Sequence, residues 1–296
     1  MRDTFSNYHP FVNMLYFAVV TAFNMFFTHP ACLVISFICA FIYSLYLSGK
    51  KALKFSLVYM LPMLIVTALL NPAFNHQGGT ILTYLPGGNP LTLESIVYGI
   101  VAALMLMTVI SWFSCFNKVM TSDKFVYLFG RIIPALSLIL SMSLRLVPRF
   151  QSQIKVISNA QKCIGRNVSN GSLLQRMKHG IKILSIMVTW ALENAIETAD
   201  SMKSRGYGLP GRTAFSIFRF QKRDLYALIY IFVCGVYIFV GSLTEGLYFR
   251  YFPTIKGVLT EPYTVTLIFA YFALCIMPVM INIQEDKRWA AIQSKT

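Results

Sequence analysis

Apolar residues dominate six stretches of the chain, at roughly 11–28, 31–47, 55–70, 93–116, 225–243 and 263–283. Each is close to the ~17–25 residues an α-helix needs to cross a bilayer. Polar breaks separate them. His29-Pro30 divides the first two, and either a tight reversal or one long kinked helix satisfies that step. "GKKALK", with Lys50, Lys51 and Lys54, follows the second stretch. "NPAFNHQGGTILTYLPGGNP", without Lys or Arg, follows the third, and its Gly, Pro and Asn predict a structured turn rather than a span. Positive charge in the loops orients the spans. It puts the 71–92 loop outside and both termini in the cytoplasm, and "EDKRW" at 285–289 agrees.

A further apolar stretch, "FVYLFGRIIPALSLILSMSL" at 125–144, is long enough to span but has basic residues on both flanks. A crossing there carries the basic region that follows to the outside, against the charge rule. It is therefore read as a helix lying along or between the spans, with Arg131 at the interface.

The period then changes. In "RLVPRFQSQIKVISNAQKCIG", Val147, Phe150, Ile154, Ile157, Ala160 and Ile164 recur at spacings of three and four, the pattern of an amphipathic helix. A second such helix opens at Ser172 and Gln175, a capping-box spelling. It carries Leu174, Met177, Ile181, Leu184, Val188, Ala191, Ala195, Ala199 and Met202. That stripe predicts core packing. Its small members Ala191, Ala195 and Ala199 suit a close helix crossing. At ~1.5 Å per residue, 172–204 reaches about 50 Å, with Gly180 as a bending point.

The second helix runs into "SMKSRGYGLPG", where Gly206, Gly208 and Gly211 spell G-x-G-x-x-G. A dinucleotide loop leaves a strand and opens a helix. Here a helix precedes the glycines and Pro210 lies among them, so the context is wrong. The same residues suit a helix end. Arg205 lies in the last turn, where the helix dipole favours a cation. Gly206 fits the left-handed position beyond the cap, and Pro210 prevents continuation. The first helix ends similarly at Gly165. By backbone chemistry alone, "SRG" is a helix terminus that presents an arginine.

Composition adds one asymmetry. Of 296 residues 56% are hydrophobic and 12% charged, yet the formal net charge is +15. Soluble domains are ~25% charged, so this is an integral membrane protein with its charge concentrated. Between Lys118 and Arg223 lie 17 of the 26 Lys and Arg, with only Asp123, Glu193, Glu197 and Asp200 opposing them. Topology and anionic lipid explain such a block. An acidic protein partner is the sharper reading. Nucleic acid is not expected, since no aromatic–basic interleaving accompanies the charge. The six cysteines form no C-x-x-C pair and read as small core residues in a reducing setting, not as a disulfide frame or metal site.

The missing motifs narrow the classes. There is no G-x-x-x-x-G-K-[ST], hence no P-loop. No catalytic triad, metal-ligand cluster or carboxylate pair appears. The span interiors lack ionisable residues, with Glu94, Glu245 and Glu285 at edges. Ion-coupled carriers and intramembrane enzymes need polar groups at depth. A non-catalytic subunit that passes motion to partners fits best, and an intramembrane enzyme or a plain membrane scaffold are the alternatives.

The run "TSDKF…SLRLVPRFQSQIKVISNAQKCIG", followed by "ADSMKSRGYG", resembles the transmembrane T component of energy-coupling factor transporters. That family carries two short Ala-x-x-Arg-Gly-like motifs at the ends of long cytoplasmic coupling helices. The second corresponds closely to Ser201-Met202-Lys203-Ser204-Arg205-Gly206. The first corresponds to Ala160-Gln161-Lys162-Cys163-Ile164-Gly165, with isoleucine at the arginine position and Arg166 one place past the glycine. The resemblance is best over about 118–210.

It implies an all-α integral membrane protein of about six transmembrane helices with long cytoplasmic coupling helices. The divisions are 1–120 (membrane), 121–223 (coupling module) and 224–296 (membrane). It further implies a multi-pass protein of a prokaryotic cell membrane, partnered by two ABC-type ATPases that bind ATP and Mg. A membrane-embedded S component that captures a vitamin or metal ion completes the set. Ala160, Gln161, Gly165, Arg166, Ser201, Ser204, Arg205 and Gly206 are the expected ATPase contacts. No catalytic, cofactor or metal residue is expected in this chain.

Overall fold

A computed structural model describes residues 3–76, 78–84, 90–130, 134–166, 172–207, 209, 218–244, 246–252, 254–257 and 261–293. The chain divides into two compact units, Met1–Thr121 with Phe218–Thr296, and Ser122–Ile217.

The first unit holds every apolar stretch read as a span. Its helices are α1 (Pro10–Phe26), α2 (Pro30–Ser48), α3 (Lys50–Phe55), α4 (Leu61–Phe74) and α5 (Leu93–Val119). Between α3 and α4, Ser56–Met60 is π-helical. The numbering resumes in this unit with α9 (Lys222–Leu243) and α10 (Pro262–Gln293). Among the described residues five helical segments are long and apolar enough to cross a bilayer: Pro30–Ser48, Lys50–Phe74, Leu93–Val119, Lys222–Leu243 and Pro262–Gln293. The chain is thus an all-α, multi-pass membrane protein. At 17 residues, α1 is apolar but shorter. Pro10 and Pro30 each occupy a first helical turn, where a missing N–H costs nothing. Between them Phe27 and His29 are extended, so α1 and α2 are two helices and not one kinked helix.

Interlocking aromatics form the core of this unit. Phe5, Tyr16 and Phe17 meet edge-on, and Trp112 meets Tyr16 and Phe17 likewise. Each polar tip finds a partner, as buried polar groups must. Trp112 Nε1 donates to Ser36 Oγ at 2.9 Å, and the Tyr16 hydroxyl donates to the Cys275 carbonyl at 3.0 Å. The polar amino-terminal tail is drawn into this core. The Thr4 and Phe5 amides donate to Asn282 Oδ1 at 2.9 and 3.2 Å, while Asn282 Nδ2 donates to Asp3 Oδ1 at 2.7 Å.

Acids at the span edges serve as ties. Asp224 accepts from the Gln221 and His9 amides at 2.8 and 3.1 Å. Glu94 accepts from the Thr80 hydroxyl at 2.7 Å and pins a short antiparallel hairpin, β1 (Ile81–Tyr84) with β2 (Pro90–Thr92), where a structured turn is expected. Glu245 lies outside the described residues. A second two-stranded pair, β3 (Phe249–Arg250) and β4 (Lys256–Gly257), precedes α10.

The second unit contains α6 (Ser122–Gly130), α7 (Pro134–Cys163) and α8 (Leu173–Ser204). The 125–144 stretch is therefore not a single helix. It divides between Gly130, which ends α6, and Pro134, which opens α7; Arg131 lies outside the described residues. From Pro134 onward the apolar segment and the first amphipathic segment are one 30-residue helix that passes through Pro148. Ser172 caps α8 in the expected capping box with Gln175.

The helices α7 and α8 pack antiparallel. Ile157 meets Ile183 and Met187, and the Phe150 ring stands edge-on to Trp190 at 5.8 Å. Arg149 lies over the same indole, 5.5 Å from its centroid. This packing overturns one expectation. The α8 stripe at Leu174, Met177, Ile181, Leu184 and Val188 is exposed, from 81% at Leu174 to 51% at Val188. A different face, through Ile183, Ile186, Met187 and Trp190, meets α7. The helix has two apolar faces, and α7 can cover only one.

Candidate helix-terminal coupling site

Both long helices of the second unit end in the same backbone motif. Gly206 has φ 72° and Gly165 has φ 81°, values that only glycine adopts without penalty. At the end of α8, the Gly206 amide donates to the Lys203 carbonyl at 3.0 Å and the Tyr207 amide to the Met202 carbonyl at 3.0 Å. At the end of α7, the Gly165 amide donates to the Lys162 carbonyl at 3.0 Å and the Arg166 amide to the Gln161 carbonyl at 2.9 Å. This pair of crossed bonds is the Schellman arrangement, which satisfies carbonyls that a helix end otherwise leaves open.

The repetition puts the two motifs in register. Lys162 matches Lys203, Ile164 matches Arg205, and Arg166 matches Tyr207. Arg205 is the capping residue itself, at φ −84° and ψ 10°, with its amide donating to the Ser201 carbonyl at 3.3 Å. The Ser204 hydroxyl donates to that same carbonyl at 3.0 Å. Arg166 leaves the backbone two residues further on, beyond the left-handed glycine. It therefore does not occupy the place that Ile164 leaves without a charge.

The surroundings differ too. Along the outer half of α8, Asn194, Glu197, Thr198, Ser201, Met202 and Arg205 form one wall of a cleft of about 500 Å³. Leu138, Met142, Arg145 and Arg149 of α7 form the other, and Tyr207 lies at its end. Three arginines and one glutamate line it, so the lining carries an excess of positive charge. Among the described residues no second helix lines the first terminus in this way. Among the described residues Gly165 meets no atom within 4 Å of where a Cβ stands, whereas Gly206 meets Leu209 Cδ1 at 3.0 Å. Ala160, Ile164 and Arg166 are exposed, and Gln161 is half-buried.

The alanine stripe lies apart from the α7 contact. Ala191 is half-buried, and Ala195 and Ala199 are exposed. Among the described residues no group of three His, Cys, Asp or Glu is placed to hold a metal ion. What sequence reasoning missed here is the cleft. Arg145 and Arg149 read as part of a diffuse basic block until the antiparallel pairing of α7 and α8 brings them into the same cleft as Arg205.

The six apolar runs and the pair of long helices with matched, glycine-locked ends define a multi-pass membrane protein. The sequence profile of the family described as Cobalt transport protein, CbiQ, matches residues 6–215. The energy-coupling factor transporter transmembrane protein EcfT of Streptococcus equi subsp. equi is 34% identical over 110 residues, 36% of this chain and 41% of that protein. EcfT of Streptococcus thermophilus is 26% identical over 238 residues, 77% of this chain and 84% of that protein. EcfT of Listeria innocua is 27% identical over 241 residues, 76% of this chain and 88% of that protein. The chain thus spans about two fifths of the Streptococcus equi relative and most of the other two. It belongs to the CbiQ family, the transmembrane T components of energy-coupling factor transporters.

Proposed function

We propose that this chain couples ATP-driven motion of two ABC-type ATPase subunits to a membrane-embedded S component that captures a vitamin or metal ion. ATP and Mg are bound by the ATPases. The carrying observation is the end of α8, where a Schellman turn fixes Arg205 at the tip of a 32-residue helix. A guanidinium carried on a fixed backbone offers bidentate donors to a carboxylate in an ATPase groove. A helix transmits displacement along its axis without loss, because each turn is hydrogen-bonded to the next. The first terminus, at Ala160–Gly165, serves the second ATPase through backbone shape and apolar contact with Ile164 rather than through charge. Ser201, Ser204 and Gly206 complete the docking edge of the second. Affinity purification of the chain from its native membrane tests this. Two ATPases and a small membrane protein are expected to co-purify, and their absence at intact chain yield refutes it.

The exposed α8 stripe and the small residues Ala191, Ala195 and Ala199 supply the partner-facing side of the same helix. Small side chains let a second helix approach closely. Ala195→Phe is therefore expected to lower both complex yield and uptake, while Ala195→Ser is tolerated. Wild-type yield and uptake in Ala195→Phe refutes the close crossing.

The proposed orientation puts both termini and the basic segment in the cytoplasm and the β1–β2 hairpin outside. Cys163 is exposed and native, and Thr83 is exposed on β1. In intact cells expressing the chain without its ATPases, a membrane-impermeant maleimide is expected to label Thr83→Cys. It should reach Cys163 only after permeabilisation. The opposite pattern inverts the topology.

A further inference from the structure

We infer that the two ATPases differ in the chemistry of their docking grooves and that Ile164 is the residue that assigns each to its own helix end; this rests on the proposed coupling function. The shared Schellman turn allows the two ends to be compared position by position. Residues 160–166 and 201–207 close with the same crossed hydrogen bonds about a left-handed glycine. Their exposure matches as well. Gln161 and Met202 are half-buried, and the other pairs before the glycine are exposed. The ends are thus one backbone scaffold carrying two sets of side chains.

The two sets differ in one direction. The first, fourth and fifth positions are three and four residues apart, so they share one side of the last turn. At the end of α8 they are Ser201, Ser204 and Arg205, all hydrogen-bonding groups. At the end of α7 they are Ala160, Cys163 and Ile164, all small or apolar. Bulk charge does not separate the ends. Each seven-residue motif has two cations and no acid, Lys162 and Arg166 in one, Lys203 and Arg205 in the other. Both attract an acidic rim, and discrimination falls to the face. Ile164 is 66% exposed, and covering it is favourable only against an apolar pocket. A groove that offers a carboxylate to Arg205 leaves that carboxylate desolvated and unpaired against Ile164. The penalty is that of truncating a buried charge pair, about 30-fold to several thousand-fold in affinity. An apolar pocket in turn strips water from Arg205 and returns no partner. Each end therefore rejects the groove of the other, which is specificity by mismatch. The ATPase at the α7 end presents an apolar pocket where the one at the α8 end presents a carboxylate, and the pair is two different proteins.

The test uses the full chain and the ATPases that co-purify with it from its native membrane. Intact-mass measurement is expected to show two ATPase species, one copy of each. One species present twice overturns this inference alone, whereas absence of any ATPase overturns the proposed function and this inference with it. Each ATPase is then titrated singly onto the chain, and the one weakened by Arg205→Glu belongs to the α8 end. Ala160→Ser, Cys163→Ser and Ile164→Arg together give the α7 end the polar face. This triple variant should bind the α7-end ATPase at least about 30-fold more weakly and keep its affinity for the other. Adding Arg205→Glu to the triple variant should leave the α8-end ATPase still able to bind, now through the α7 end, although Arg205→Glu alone loses it. Ile164→Val keeps the face apolar and should bind both ATPases as wild type does. Circular dichroism confirms that each variant folds. Unchanged affinity for both ATPases in the triple variant overturns the inference, and so does failure of the transferred face to recover the α8-end ATPase. Equal weakening of both ATPases by the triple variant or by Arg205→Glu overturns the one-to-one assignment.

Discussion

Arg205→Glu is expected to abolish coupled uptake nearly completely in cells that express the whole transporter, while the chain still inserts and accumulates normally. Arg205 lies at the end of α8, in the compact unit that does not hold the spans. A buried, paired arginine at an interface costs roughly 2–5 kcal/mol when truncated. That corresponds to about 30-fold to several thousand-fold in ATPase affinity. Reversing the charge adds repulsion. A cation that merely complements the helix dipole is worth only about 0.3–1 kcal/mol of local stability. The two roles therefore differ by at least a decade in docking, which titration of each purified ATPase onto the chain resolves. Arg205→Lys should rescue poorly, because a point charge does not replace a fork. Arg166→Ala should be much milder, since Arg166 stands at the position matched by Tyr207 and not by Arg205. Wild-type docking and uptake in Arg205→Glu leaves the turn as a helix stop.

Much of this architecture is legible in the residues, for reasons that are local. The six apolar runs read as spans are helical, five of them within segments long enough to cross a bilayer, because a span is set by length and hydropathy alone. The capping box at Ser172 and the left-handed Gly206 were legible because backbone donors and acceptors a few residues apart decide them. Three features were not. The apolar stretch ending at 144 and the amphipathic one that follows read as separate helices, yet α7 joins them from Pro134 to Cys163 and runs through Pro148. Periodicity on α8 identified an apolar stripe at Leu174 through Val188 but not what covers it, and α7 took the face of Ile183, Met187 and Trp190 instead. The amino-terminal tail reads as polar, yet Phe5 is fully buried because Asn282, some 280 residues away in sequence, supplies the acceptor for two of its amides. Patterning reports which side of a helix avoids water. It carries no information on which of several apolar or hydrogen-bonding partners arrives, and the cleft at Arg145, Arg149 and Arg205 exists only through that choice.

Gly206→Ile should weaken ATPase docking and uptake strongly although it leaves every charge in place. The reason is conformational. Gly206 holds φ 72°, and a Cβ in the left-handed region costs about 1–2 kcal/mol, with a β-branched side chain at the upper end. A Cβ there also stands 3.0 Å from Leu209 Cδ1, so that side chain must shift. Relief comes from unwinding the last turn, which breaks the bonds from the Gly206 and Tyr207 amides to Lys203 and Met202 and frees the Arg205 backbone. A guanidinium on a frayed end must be re-ordered at each docking event, and 1–2 kcal/mol of ordering lowers affinity about 5–30-fold. Gly206→Asn is the control, since asparagine visits the left-handed region at low cost, and it should dock within a few-fold of wild type. Gly165→Ile is the matched comparison. It meets the same φ penalty at 81°, with no described atom within 4 Å to clash, and it fixes an isoleucine rather than an arginine. If rigid presentation of Arg205 is what matters, Gly165→Ile harms uptake less than Gly206→Ile. Equal losses at the two glycines show instead that both termini act through backbone shape alone, and the arginine loses its special standing.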